Sequence, residues 1–106
     1  MKIDDLISIS QKFGSPIYVY DAALIKSQYK KLSDAFSAVE NLHIKYAVKA
    51  LSNINIIKIL NSLGSGLDTV SLQEVLIGLE AGVKPNEIIY TPNGAVSYTH
   101  LTLPTM

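Results

Sequence analysis

The sequence contains no cysteine, and its two histidines, His43 and His100, lie far apart in the chain. Without cysteine the protein forms no disulfide, has no thiolate nucleophile and cannot bind zinc through sulfur. The two isolated histidines do not form the short spacings that are typical of metal-binding helices. The sequence therefore predicts chemistry without a metal site.

An excess of charge and a long apolar run are missing too. Nine basic and nine acidic residues balance, which argues against a nucleic-acid or anionic-membrane partner held by bulk charge. No apolar segment approaches the roughly 20 residues of a membrane span. Asp4 and Asp5 stand where a signal peptide would be apolar. With 48% hydrophobic and 17% charged residues, the composition predicts a soluble, cytoplasmic, globular protein.

The sequence does contain a regular alternation of helix and strand patterns. A short amphipathic helix is predicted before Gly14, and capped helices are predicted from Asp21 to Val39, from Ser52 or Asn53 to Leu63, and from Ser71 to Ala81. Runs of β-forming residues predict strands at 17–20, 43–49, 67–70 and 87–91. Such alternation is typical of right-handed βαβ units around a parallel sheet, so the predicted fold class is α/β.

The chain is short for a complete fold of this class. Three or four parallel strands leave an exposed sheet edge, and a full (β/α)8 barrel needs about 250 residues. We therefore expect the 106 residues to form the N-terminal part of a barrel, which is incomplete.

One lysine stands out because it ends an apolar run. Side chains alternate along a strand, so Ala47 and Lys49 share one face, and Lys49 points inward at the carboxyl end, where barrel active sites lie. A lysine delivered there is a candidate nucleophile for Schiff-base chemistry. A surface lysine that extends from the strand end into water fits the same spacing. The residues alone leave both interpretations open.

Two carboxylates follow in the next strand and helix. Asp68 lies near the end of the third predicted strand, where it could hold the charge of Lys49 and move protons. Glu74 stands three residues after Ser71, which is the spacing of a helix capping box. A capping role for Ser71 does not exclude a second role for Glu74 beside the lysine.

Four ordered motifs resemble the fold-type III pyridoxal-phosphate decarboxylases, and among them the diaminopimelate decarboxylases. The motifs are Phe13–Asp21, Tyr46–Asn53, Gly66–Ser71 with Glu74, and Ile88–Gly94 after Ala81-Gly82. The resemblance covers roughly residues 13–94. Ornithine and arginine decarboxylases share the lysine motif, so the resemblance indicates the cofactor more specifically than the substrate.

The resemblance implies a TIM-type, alanine-racemase-like barrel with pyridoxal 5'-phosphate as cofactor. Lys49 would form the Schiff base with this cofactor, Asp68 would lie beside the lysine and the cofactor ring, and Glu74 would be a nearby acidic group. One departure is Leu51, which stands where the family commonly has asparagine. The complete enzyme would be a homodimer.

The resemblance also implies a reaction on a small amino-acid substrate. Decarboxylation of meso-diaminopimelate would give lysine. An ornithine- or arginine-type decarboxylase fragment, a pyridoxal-phosphate-binding module without catalysis, and a piece that completes a barrel with another chain are the alternatives.

The end of the sequence departs from the family. Residues 95–106 resemble the conceptual translation of a sequencing-library adapter. We interpret residues 1–94 as a partial pyridoxal-phosphate-binding barrel domain and residues 95–106 as a non-native tail. In the family, later strands, a C-terminal β-domain and a second subunit complete the site, so the fragment alone is expected to be inactive.

This interpretation predicts the genomic sequence. Beyond the codon of Gly94 the natural reading frame is expected to continue into further barrel motifs, and sequencing the locus measures this directly. An uninterrupted frame that ends at Met106 would contradict the prediction.

Overall fold

A computed structural model describes residues 1–92 of the chain. Its helices and strands, in chain order, are α1 (Ile3–Phe13), α2 (Ala22–Ala35), β1 (Lys45–Ala47), α3 (Ile54–Ser62), β2 (Gly66–Thr69), α4 (Leu72–Glu80) and β3 (Ile88–Tyr90). A 3-10 turn, Val48–Ala50, follows β1, and a second, Pro85–Glu87, precedes β3. No helix within the described residues is long and apolar enough to cross a membrane.

The three strands form one parallel sheet in the order β1-β2-β3. In the register of this sheet, Asp68 pairs with Ala47 on one side and with Ile89 on the other. The helices α3 and α4 connect successive strands, as parallel pairing requires. The predicted α/β class with a parallel sheet is confirmed.

One face of the sheet carries the hydrophobic core. Leu67 is fully buried and packs with Val48, Ile57 and Val83, which come from the turn after β1, from α3 and from the link after α4. Gly78 lets α4 approach this face closely, because a Cβ there would come within 2.5 Å of Leu67 Cδ1. The core therefore lies between the sheet and the two connecting helices.

The opposite side of the sheet is here called the open face. By strand alternation and register it carries Lys45, Ala47, Gly66, Asp68 and Ile89. None of the buried hydrophobic side chains in the described part of the chain belongs to it, and Ile89 is 45% exposed. This is the side that would face the interior of a barrel.

Local sequence signals set the helix ends. Three N-cap side chains accept backbone N–H bonds: Asp21 from Leu24 and Ser71 from Glu74, as predicted, and Asn53 from Asn55, which decides between the predicted alternatives Ser52 and Asn53. Gly64 and Gly82 follow the C-caps of α3 and α4 with φ of 107° and 93°. After each glycine the chain closes a six-to-one hydrogen bond, Ser65 to Leu60 and Val83 to Gly78.

Two predicted elements differ from the structure. The predicted strand at 17–20 is wrong: these residues have no strand partner in the described part of the chain, and Tyr18 is 91% exposed. The second helix ends at Ala35 rather than Val39. Phe36 and Val39 are exposed, so no packing stabilises a further helical turn.

The strand predicted at 43–49 is shorter than expected. It pairs only over Lys45–Ala47, because the chain turns at Val48 to bury that side chain in the core. His43 precedes the strand and is exposed. The strand predicted at 67–70 begins and ends one residue earlier, at Gly66–Thr69, and the strand predicted at 87–91 is one residue shorter at each end. The sequence Pro92–Gly94 also predicts a turn, which extends beyond the described residues, and the tail at 95–106 lies outside them.

Candidate active site

Lys49 lies in the 3-10 turn directly after β1. The N–H of Leu51 donates to the carbonyl of Val48 at 3.0 Å and closes this turn. Val48 is fully buried and Lys49 is exposed. The prediction that Lys49 continues the strand alternation is therefore wrong, because β1 ends at Ala47. The lysine nevertheless follows the carboxyl end of the strand.

Asp68 lies on the open face of β2, directly opposite Ala47 in the register. Its side chain is half-buried, and its Oδ1 accepts a hydrogen bond of 2.8 Å from Thr91 Oγ1. Because Ala47 has only a methyl group, little side-chain volume stands beside Asp68 on β1. The carboxylate and the turn that carries Lys49 thus belong to the same end of neighbouring strands.

Glu74 lies in the first turn of α4. Its backbone N–H donates to Ser71 Oγ at 3.2 Å, and its Oε1 accepts from the N–H of Val70 at 2.9 Å. The capping role is confirmed. In a standard capping box the carboxylate would accept from the N–H of Ser71, whereas here it accepts from Val70, one residue earlier in the chain. Glu74 therefore stabilises the link that follows Asp68.

The structure places Lys49, Asp68 and Glu74 at the same end of the sheet but does not bring them into contact through polar groups. Within residues 1–92 no hydrogen bond or ion pair connects Lys49 to Asp68 or to Glu74. Lys49 has no polar partner at all among these residues. Among residues 1–92 the amine is thus unpaired, while Asp68 and Glu74 are held by their own neighbours.

Thr91 is a site residue that sequence reasoning missed. It follows β3, and its N–H also donates to the carbonyl of Thr69 at 2.8 Å, which continues the sheet pairing by one residue. The sequence contains one indication of this role, because strand alternation places residues 89 and 91 on the same side of the strand. Only the register shows that this side is shared with Asp68.

A second lysine, Lys45, lies just before the motif and is engaged elsewhere. Lys45 stands at the amino end of β1, and its Nζ donates to the carbonyl of Glu87 at 3.2 Å. Its side chain crosses Gly66, where a Cβ would come within 2.8 Å of Lys45 Cδ and Nζ. The two lysines of this strand and turn therefore differ: Lys45 has a backbone partner and Lys49 has none.

This arrangement fits a cofactor that carries an aldehyde. Such a cofactor would need an accessible primary amine, which Lys49 supplies, and positive charge at this edge would be favoured by a carboxylate, which Asp68 supplies from the same end of the sheet. The small Ala47 leaves space beside that carboxylate.

The comparisons with known proteins agree with this chemistry. Residues 22–101 match the family model described as "Pyridoxal-dependent decarboxylase, pyridoxal binding domain". The chain therefore belongs to the pyridoxal-binding domain family of the pyridoxal-dependent decarboxylases, and pyridoxal phosphate is the cofactor that this family indicates. The match extends beyond residue 94, and the boundary that we place there stays a prediction.

Individual relatives give the same result. The chain is 38% identical over 90 residues to a diaminopimelate decarboxylase of Methanothermobacter thermautotrophicus. These 90 residues are 84% of this chain and 21% of the relative. A solved diaminopimelate decarboxylase of M. jannaschii with L-lysine is 30% identical at a TM-score of 0.81, covering 92% of this chain and 24% of that one. The chain thus spans about a fifth of the length of its relatives.

The chain is also similar to a solved decarboxylase that has another substrate specificity. The lysine/ornithine decarboxylase of Vibrio vulnificus with cadaverine is 26% identical at a TM-score of 0.81, covering 89% of this chain and 25% of that one. These relatives confirm the fold as part of the fold-type III decarboxylase barrel.

The contact between Asp68 and Thr91 generates a prediction. Replacing Thr91 by valine keeps the shape but removes the donor, so the free energy of unfolding is expected to fall by about 0.5–1 kcal/mol. Urea unfolding of Thr91→Val measures this, with Thr91→Ser, which keeps the hydroxyl, as the matched control. Equal losses in both variants, or no loss in either, would contradict the role of the hydroxyl.

Proposed function

We propose that this chain supplies the first strands of the pyridoxal-phosphate site of a diaminopimelate decarboxylase. The observation that carries the proposal is Lys49, an exposed lysine without a polar partner in the described residues, at the carboxyl end of β1 in a pyridoxal-binding domain. The reaction is the decarboxylation of meso-diaminopimelate to lysine, carried out by the complete enzyme.

The residues of the chain have separate roles in this proposal. Lys49 would hold the cofactor aldehyde through its ε-amine. Asp68 would stabilise positive charge at the carboxyl edge of the sheet. Thr91 keeps the Asp68 carboxylate in place through the 2.8 Å hydrogen bond. Glu74 holds the β2–α4 link through Val70 and so fixes the segment that follows Asp68. When bound, pyridoxal phosphate withdraws electrons from the substrate α carbon, which makes loss of carbon dioxide possible.

The substrate is inferred from the relatives. Curated relatives at 32–40% identity are named diaminopimelate decarboxylases, and three solved structures of such enzymes are complexes with L-lysine, the product of this reaction. The lysine/ornithine decarboxylase is less similar, at 26% identity. We infer a complete enzyme that is cytoplasmic and homodimeric and has neither a nucleic-acid nor a membrane partner.

The 106 residues alone are expected to bind the cofactor without decarboxylation. Ile89 on the open face is 45% exposed, so the described part of the chain does not shield a reacting α carbon from water. A domain of residues 1–94 with a non-native tail at 95–106 fits this expectation.

Cofactor binding predicts selective labelling of one lysine. Incubation of the chain with pyridoxal phosphate, followed by borohydride reduction and peptide mapping, is expected to place the adduct on Lys49. The label should disappear in Lys49→Arg and persist in Lys58→Arg, which replaces another exposed lysine. Label spread evenly over the exposed lysines would contradict the proposal.

The reaction itself can be tested by transplantation. Residues 13–92 would replace the matching segment of the Methanothermobacter thermautotrophicus enzyme, and release of lysine from meso-diaminopimelate would be measured. We expect activity within about 100-fold of the host enzyme, and loss of at least a further 100-fold when the chimaera carries Lys49→Ala.

Two controls sharpen this test. The same transplant into the lysine/ornithine decarboxylase of Vibrio vulnificus is expected to be less active on its own substrate. Higher relative activity in that host, or equal activity with and without Lys49, would argue against a diaminopimelate decarboxylase segment. The isolated chain should release no lysine at enzyme-like rates.

A further inference from the structure

The side chain of Tyr46 connects the core to the turn that carries Lys49. Its ring packs against the cluster formed by Val48, Ile57, Leu67 and Val83, on the covered face of the sheet. Its hydroxyl donates to the carbonyl of Leu51 at 2.7 Å. Both residues are half-buried, so water competes less for this bond than it would at the surface.

The hydrogen bond from Tyr46 to Leu51 bridges the segment 47–50, which contains Lys49. On one side of the lysine, Ala47 is fixed by its pairing with Asp68, and on the other side Asn53 caps α3. Between these two points lies a 3-10 turn of only three residues, Val48–Ala50, closed by a bond from the N–H of Leu51 to the carbonyl of Val48. The side chain of Leu51 is apolar and cannot add a hydrogen bond of its own.

Lys49 depends on this frame because it has no partner of its own. Among residues 1–92 its ammonium group makes no hydrogen bond or ion pair, so the backbone of the turn sets the point from which the amine extends. Burial raises the pKa of the Tyr46 hydroxyl above its ordinary value. The hydroxyl therefore keeps the proton that it donates to Leu51.

We propose that Tyr46 is a positioning residue for Lys49: its hydroxyl holds the turn at 48–51 and thereby directs the lysine amine toward the cofactor. The link to the cofactor rests on the proposed function, whereas the hold on the turn does not. Tyr46 itself touches neither substrate nor cofactor in this mechanism, since its ring lies on the covered face of the sheet.

The hold on the turn is tested by amide hydrogen exchange. The variant Tyr46→Phe removes one oxygen and keeps the ring in the core, and Tyr18→Phe removes the hydroxyl of a tyrosine that is 91% exposed. The loss of one such hydrogen bond is expected to speed exchange of the Leu51 amide about fivefold in the first variant and not in the second. The amides of β2 should keep their wild-type rates in both.

Two results of this measurement would overturn the proposal. The first is an unchanged rate at Leu51 in Tyr46→Phe, which would show that the bond does not hold the turn. The second is an equal acceleration in β2, which would show that the hydroxyl supports the whole fold rather than this turn.

The effect on Lys49 is read from the distribution of trapped cofactor. After borohydride reduction, the ratio of label on Lys49 to label on Lys58 is expected to fall at least threefold in Tyr46→Phe and to stay unchanged in Tyr18→Phe. An unchanged ratio in Tyr46→Phe would overturn the positioning role. If the wild-type chain shows no preference for Lys49, the proposed function fails, while hydrogen exchange at Leu51 still decides whether Tyr46 holds the turn.

Discussion

The parallel register of the three strands is the constraint on which the site depends. Because all strands run in one direction, their carboxyl ends meet at one edge, and pairing of Ala47 with Asp68 and of Asp68 with Ile89 sets which side chains become neighbours there. A shift by one residue would move Asp68 to the core face. Burial of Leu67 between the sheet and its helices excludes that shift, so the core fixes the position of the carboxylate.

The same few residues stabilise the fold and shape the site. Ser71 and Glu74 satisfy backbone donors at the start of α4, and by doing so they hold the link that leaves β2 just after Asp68. Val48 occupies the core while its neighbour Lys49 is exposed. The turn after β1 therefore exists because Val48 must be buried, and the lysine is presented to solvent as a result.

Sequence patterns predicted the features that local interactions determine. The caps at Asp21 and Ser71 depend on groups within a few residues and were found as predicted, and of the alternatives Ser52 and Asn53 the structure has Asn53. The predicted strand at 17–20 failed because strand formation needs a partner, which propensity does not supply. The bond from Thr91 to Asp68 joins residues 23 positions apart, so it required the register.

The close approach at Gly66 has a consequence for how the sequence can change over time. A side chain at this position would meet both Lys45 and the backbone carbonyl of Glu87. A shorter residue at position 45 would remove only the first obstacle, because a carbonyl oxygen in the link before β3 cannot be replaced by mutation. Position 66 is therefore expected to remain glycine whatever residue stands at position 45, because a substitution at 45 cannot make room for a side chain at 66.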